Sequence, residues 1–217
     1  MNLNFDVPDK MKKILEIPLV YNCFQHFTGY YKFMIQKVSE SIQEINPTSV
    51  VDLGCGPGML LQKRMINNNY LGIDISSKYT TQAEMNARKL TVQSFFETKE
   101  VEKVNYEKYS DFLGGRPIFL ALGLFHHLPF EDLKLLLKQI KKTQSNVQVL
   151  SIDPVFIDNQ DFVSKYIVSQ DRGKFVRHKN DLIEILLQDS FKPKKLEVGK
   201  EFTRLPSDLM CVLWELD

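Results

Sequence analysis

Residues Val50 to Gly58 read VVDLGCGPG, and this stretch decides the fold. With Ser49 before it, the stretch Ser49-Val50-Val51-Asp52-Leu53 reads as a short buried strand, and glycines follow at 54, 56 and 58. Glycine reaches backbone conformations closed to other residues and lets a ligand approach the main chain closely. Met59 to Met65 then reads as a helix. The loop therefore delivers a strand into a helix N-terminus, where backbone N–H groups lack intrahelical partners. A strand, a glycine loop and a helix in this order open a parallel sheet that binds a nucleotide or nucleoside beyond its carboxyl edge.

The next strand, YLGIDI from Tyr70 to Ile75, supplies the expected partner. Asp74 stands twenty positions after Gly54, where a carboxylate can accept hydrogen bonds from two ribose hydroxyls. The plainer alternative is a tight strand–helix turn without a ligand, and the agreement of strand, loop and distal acid counts against it. The spacing also discriminates among ligands. A dinucleotide fingerprint, G-x-G-x-x-G, would place its third glycine at position 59, which is Met59. The G-K-[ST] ending of a phosphate-cradling loop is absent, and Pro57 lacks the N–H a pyrophosphate would use. The loop favours a nucleoside with little or no phosphate over NAD.

On the amino-terminal side, Pro18 is placed to open a helix and Gly29 to end it. Phe33, Met34, Val38, Ile42 and Ile45 then recur at helical spacing until Asn46-Pro47-Thr48 breaks the pattern. Residues 1–46 are expected to form a helical cap and 47–217 an α/β core, together one domain. On the carboxyl side, Ser76 or Ser77 caps a helix running to about Leu90. Further strands are expected at Thr91–Phe96, Pro117–Phe125 and Asn146–Ile152. Pro129 starts a helix with Glu131 and Asp132 in its first turn and Lys138, Lys141 and Lys142 in its last, complementing the helix dipole. Asn180 can cap a helix over Asp181–Gln188. Two final strands, Lys195–Thr203 and Leu209–Glu215, are joined by too short a link around Pro206 for a parallel crossover, so they should pair antiparallel.

Composition narrows the setting. Of 217 residues, 43% are hydrophobic and 25% charged, the balance of an ordinary globular protein. Lys and Arg number 28 against 27 Asp and Glu, so no broad basic face points to nucleic acid. Cys23, Cys55 and Cys211 are odd in number and far apart, which fits neither a disulfide framework nor a metal knuckle and suggests a reducing compartment. Asp6, Asp9 and Glu16 interrupt what a secretory signal would keep apolar. The apolar run from Ile118 to Phe125 is shorter than the roughly 18 residues a membrane helix needs. A cytoplasmic protein without a membrane span or a metal site is the expectation, with the number of copies left open.

VVDLGCGPG followed by YLGIDIS resembles the first two motifs of the class I S-adenosylmethionine-dependent methyltransferases. The strand order is similar to that family's seven-stranded Rossmann-like, doubly wound sheet, mostly parallel with a C-terminal antiparallel hairpin, and the likeness runs from about Thr48 to the carboxyl end. The resemblance implies S-adenosylmethionine as cofactor, with Gly54, Gly56 and Gly58 facing its methionine and ribose parts and Asp74 holding the ribose hydroxyls. It implies that Asp52 helps position the amino group, that Cys55, Ile75 and Leu124 lie around the cofactor, and that Phe96 and Glu97 are the nearest match for the adenine pocket.

The fourth strand ends in ALGLFHHLP, and the switch point of such a sheet lies between its first and fourth strands. Phe125, His126 and His127 should therefore open toward the cofactor. FHHLP resembles the subgroup that acts on small molecules, and the Asn/Asp-Pro-Pro-aromatic motif of nucleic-acid base methylation is missing. His126 or His127 could take a proton from an acceptor hydroxyl, or could serve a packing role; Asp153 in SIDP is the other candidate base, or a turn former before Pro154. In SQDRGKFVRHK, Arg172 and Arg177 could hold an anionic group of the acceptor, although a solvated loop turning at Gly173 is the plainer reading. Tyr21, Phe24, His26, Phe27 and Tyr30 offer aromatic surface for a lid, with Tyr21 a candidate substrate contact. LEIPLVYNCFQHFTG and IDPVF…SQDRGKFVR are similar to methyltransferases encoded with surface-polysaccharide enzymes. The expected activity is methyl transfer to a small molecule, at oxygen, with a sugar or nucleotide-sugar as acceptor. Carbon methylation of a quinone-like ring and non-catalytic binding of the cofactor are the alternatives.

Overall fold

The computed structural model describes residues 29–143, 146–204 and 206–216. The first helix, α1 (Tyr30–Ile45), starts at Gly29, whose φ is 79°, and stops where Asn46 takes a left-handed φ of 46° before Pro47. Then follow β1 (Ser49–Leu53), α2 (Met59–Gln62), β2 (Asn69–Asp74), α3 (Ser77–Ala87) and β3 (Ser94–Thr98). The second half contains α4 (Ser110–Leu113), β4 (Pro117–Leu122), α5 (Phe130–Lys141), β5 (Gln148–Pro154), α6 (Phe162–Ser169), α7 (Lys179–Gln188), β6 (Phe191–Gly199) and β7 (Leu209–Leu216).

The strands form one sheet in the order β3-β2-β1-β4-β5-β7-β6. Pairing is parallel from β3 through β5, and β7 runs antiparallel to both β5 and β6. Alternation along the strands divides the core into two layers. Val51, Leu53, Phe119, Ala121, Val149 and Trp214 pack with Leu133, Leu136, Leu137 and Ile140 of α5 and Leu182 and Leu186 of α7. Val50, Ile118, Leu120, Leu150 and Ile152 face the other way, onto Phe33, Met34 and Val38 of α1, Leu60 and Leu61 of α2 and Ala83 of α3. Both faces are covered, as the near-continuous apolar strands require.

Several element limits differ from the sequence reading. α2 ends at Gln62 instead of Met65, because Arg64 adopts a left-handed φ of 53°. β3 spans Ser94–Thr98 in place of Thr91–Phe96. β4 ends at Leu122, before Gly123 turns the chain at φ 68°. His178, whose Nδ1 accepts from the amide of Asn180, caps α7 in place of Asn180. β6 starts at Phe191, four residues before the expected Lys195. The helix α6 was not anticipated; Asp161 caps it by accepting from the amide of Ser164 at 3.0 Å. Among the described residues no helix is long and apolar enough to cross a membrane.

Candidate active site

β1 ends at Leu53, and Gly54, Gly56 and Gly58 all take positive φ, at 73°, 52° and 76°. Two of these glycines face different constraints. A Cβ on Gly58 would come within 2.9 Å of Ala83 Cα, so a side chain here would force the loop off α3. A Cβ on Gly56 would meet nothing within 4 Å, so this side of the loop is open. The amides of Gly54 and Cys55 both donate to the Ile73 carbonyl, at 2.8 and 2.9 Å, tying the loop to the end of β2.

Asp74 completes the tie. Its Oδ2 accepts from the Gly56 amide at 2.9 Å and its Oδ1 from the Ser76 amide at 2.8 Å. An ionised carboxylate has about four acceptor positions, so each oxygen keeps capacity for a ligand hydroxyl. Asp74 is half-buried, and its neighbour Ile75 is 74% exposed, an apolar surface beside the acid. Asp52 lies deeper. It is buried, accepts from the Tyr70 hydroxyl at 2.6 Å, and burial pushes its carboxyl up to about 6. Cys55 also turns inward among apolar residues, and burial pushes its thiol up. Its amide already serves Ile73, so Cys55 shapes the loop from within. Leu124 borders the loop from the β4 side, its Cδ1 3.6 Å from the position of a Cβ on Gly54.

Phe96 and Glu97, the residues expected nearest the adenine, lie within β3, which continues to Thr98. They pair with Gly72 and Ile73, and alternate residues of a strand face opposite ways. Phe96 packs toward Tyr70, with ring centroids 5.8 Å apart. Glu97 accepts from the Tyr109 hydroxyl at 2.6 Å and pairs with Lys108, which hold its carboxyl below the usual range against the effect of burial.

The histidine turn is the second half of the site. Phe125–His127 form a single 3-10 turn just past β4. Phe125 does not open toward the loop; it is fully buried in the layer with α5. His126 is buried too. Its Nδ1 lies 2.7 Å from Asp153 Oδ1 and its Nε2 3.1 Å from Asp171 Oδ1. Burial alone would lower its pKa, but the hydrogen bonds and charges of Asp153 and Asp171 prevail and raise it to about 9. A proton-accepting imidazole needs a ring nitrogen with a free lone pair. Both ring nitrogens of His126 face carboxylates, an arrangement that favours the protonated ring and argues against the expected role of His126 as a base. His127 is exposed, its ring centroid 4.2 Å from that of His126. Partial burial and the positive charge of His126 lower its pKa. Asp153 is 1% exposed, and its Oδ2 has no hydrogen-bond partner among the described residues.

The basic stretch wraps this turn. Gly173 packs directly against His126, and the Phe175 amide donates to the His126 carbonyl at 3.0 Å. Arg177 donates to the carbonyls of Phe125 at 2.8 Å, Leu128 at 2.6 Å and Phe175 at 3.1 Å. Its guanidinium is thus occupied by main chain, which corrects its expected place on an acceptor anion. Arg172 is exposed, and its charge reaches His127. Tyr30, at the start of α1, directs its hydroxyl to the Ile152 carbonyl at 3.4 Å, beside Gly123, so α1 meets the carboxyl ends of β4 and β5. Tyr30 stood among the lid aromatics of the sequence reading and is the one of those five within the described residues. Tyr21, Phe24, His26 and Phe27 lie outside them.

The open side of Gly56, the pre-fixed Asp74 and the exposed Ile75 fit a nucleoside ligand. Gly54–Gly58, Asp74 and Ile75 are the residues that would hold it. Residues 50–145 match a family profile described as a methyltransferase domain. Among solved structures, magnesium protoporphyrin IX methyltransferase from Synechocystis PCC 6803, with bound S-adenosylhomocysteine, superposes with a TM-score of 0.64 at 17% identity, over 87% of this chain and 84% of that one. Geranyl diphosphate C-methyltransferase from Streptomyces coelicolor A3(2) gives 0.62 at 13% identity, over 82% and 75%. A methyltransferase from Methanosarcina mazei gives 0.57 at 14% identity, over 81% and 96%. No curated protein matches the chain in sequence.

Proposed function

We propose that this chain is a class I S-adenosylmethionine-dependent methyltransferase and that it methylates a hydroxyl of a small-molecule acceptor; the methyltransferase-domain match over residues 50–145 and the shared fold support the first part. The observation that carries the reading is the meeting of two structures at neighbouring strand ends. The glycine loop bound to Asp74 follows β1, and the histidine turn bound to Asp153 follows β4, the strand beside it. Ligands of open α/β sheets sit in this crevice.

S-adenosylmethionine, when bound, supplies an electrophilic methyl carbon on a sulfonium, which departs with the electron pair as a neutral thioether. The chain's own work is placement and proton management. The open side of Gly56 and the remaining acceptor capacity of Asp74 would receive the nucleoside end. Tyr30 and the histidine turn border the ends of β4 and β5, where an acceptor would approach. His127, exposed and biased toward its neutral form, takes the proton as the hydroxyl oxygen bonds to carbon. Asp153 acts on His126 and not on the acceptor. A sugar or nucleotide-sugar is the acceptor class we favour, with Arg172, exposed beside His127, the side chain we assign to an anionic group. The protein of Streptomyces coelicolor, a C-methyltransferase by name, keeps carbon as the second reading.

Titration calorimetry with S-adenosylhomocysteine, S-adenosylmethionine and NAD tests the cofactor side. Binding of the first two and not of NAD is expected, and the reverse would overturn the assignment. Incubation with methyl-labelled S-adenosylmethionine and a panel of sugars, nucleotide-sugars and quinols then tests the acceptor, with mass spectrometry locating the methyl group. A carbon-methylated product would replace the oxygen reading.

A further inference from the structure

FHHLP and SQDRGKFVRHK are distant in sequence, yet they build one object. Asp171 binds the Nε2 edge of His126, Gly173 packs against the ring's Cδ2 side, the Phe175 amide caps the His126 carbonyl, and Arg177 gathers the carbonyls on either side. Gly173 is required for this contact, since a Cβ there would fall 1.9 Å from His126 Cδ2. Asp171 is itself fixed, its Oδ1 accepting from the Gly173 amide at 2.7 Å.

We propose that Asp171 is a positioning residue, which clamps the His126 ring between two carboxylates and so leaves proton acceptance to His127. The proposal rests on the reading of this crevice as a methyl-transfer site. Its basis is the crowding of two imidazoles with centroids 4.2 Å apart. Two positive rings at that distance repel, and the burial of His126 limits how far water screens them. The ring that meets two carboxylates keeps the proton, and its neighbour stays neutral. The charged groups that bear on the pair are Asp153 from β5, Asp171 and Arg172 from the covering segment, and Arg177, whose guanidinium lies on the turn's carbonyls. The carboxylates favour charge on His126, and Arg172 opposes it on His127. His127 takes the acceptor proton through its free lone pair and, being exposed and next to a fixed cation, returns it to solvent afterwards. The proton thus passes from acceptor oxygen to ring nitrogen to water, with no change in the charge of His126.

The test is a histidine titration of the full chain by long-range proton–nitrogen NMR, from about pH 5 to 10, spanning both rings. In the parent protein, His126 should remain doubly protonated through about pH 8 while His127 is neutral at about pH 7. In Asp171→Asn, the His126 midpoint should fall by about one pH unit or more, and that of His127 should rise. An ordinary midpoint for His126 in the parent overturns the proposal even if the variant fails to fold. Unmoved midpoints in a folded Asp171→Asn overturn it as well. Calorimetry with S-adenosylhomocysteine on the same samples separates the two levels of the argument. Unchanged affinity in the variant places the effect on the acceptor side. Failure of the parent to bind would remove the methyl-transfer reading and the role of His127, whatever the titrations give.

Discussion

Oδ2 of Asp74 lies 2.9 Å from the amide nitrogen of Gly56, so the acid at the end of β2 organises the loop after β1 before any ligand arrives. The two strands are parallel neighbours, and the bond converts their adjacency into a fixed loop shape. Asp74 is therefore a brace of the loop, and under the proposed function it is a ligand contact as well.

Asp74→Ala should weaken cofactor binding and also cost stability. It removes the acceptor for the amides of Gly56 and Ser76, and hydrogen bonds to a charged group contribute about 1.5–3 kcal/mol each when present. Exposure of the site lets water replace part of that loss, so a stability loss of about 1–2 kcal/mol is expected. Urea unfolding and S-adenosylhomocysteine titration on one preparation check both effects; parental affinity would remove Asp74 from the ribose.

Gly56→Ala and Gly58→Ala should separate binding from folding. At Gly58 the added methyl meets Ala83 at 2.9 Å, and overpacking of this kind costs about 1–3 kcal/mol beyond the strain of positive φ. At Gly56 the methyl points into open space, so only the backbone strain, of order 1 kcal/mol, acts on the fold, while the ligand's approach is blocked. Thermal melting with and without S-adenosylhomocysteine distinguishes them. A Gly56→Ala protein with full ligand stabilisation would show that the loop faces elsewhere.

Stability should decline as pH rises from neutral to alkaline. The folded pKa of His126, about 9, exceeds its ordinary value of 6.5. Its contribution is fully present below about 6.5 and is lost as pH passes through about 9. Asp52 acts in the same sense at lower pH: its carboxyl is raised from 3.8 to about 6, so its ionisation opposes the fold across that interval. Asp171, held below its usual range chiefly by His126 against the effect of burial, works oppositely, and its contribution is lost only in acid. Urea midpoints at about pH 6.5 and 9.5 should therefore differ, with the alkaline one lower. His126→Gln should abolish that difference and cost about 3–5 kcal/mol at neutral pH by stranding buried Asp153. Equal midpoints in the parent would refute the assigned charge state.

The limits of the sequence reading follow the physics of each element. β1 was legible to the residue because a fully buried apolar run is bounded by Pro47 and Gly54. β6 was misplaced because it lies at the sheet edge with most of its residues exposed, where lysines alternate with nothing to mark a core face. α6 has the apolar, partly β-branched sequence FVSKYIVS, which suits a strand as well as a helix, and only its Asp161 cap distinguished the two. Asp74 could be found from its spacing because it sits on a regular strand. Asp171 could not. Its meeting with His126 depends on how a loop returns over a turn, and no periodicity in the chain encodes that path. The composition of SQDRGKFVRHK suggested an external anion, whereas Arg177 found its acceptors in the main chain.

The placement of β7 bears on how the protein is made. This strand is the last of the seven in sequence, yet it stands between β5 and β6 in the sheet, and seven residue pairs from Gln148–Glu215 to Pro154–Leu209 join it to β5. A ribosome extending the chain presents β5 long before its partner exists. Until residues 209–216 emerge, that strand is an edge with a row of unpaired donors and acceptors and strongly apolar side chains, the kind of surface that recruits other chains. Pairing across such a sequence separation also closes late, because the loop entropy is lost before the contacts form. The same threading that completes the sheet makes the nascent protein dependent on its final strand for protection from aggregation.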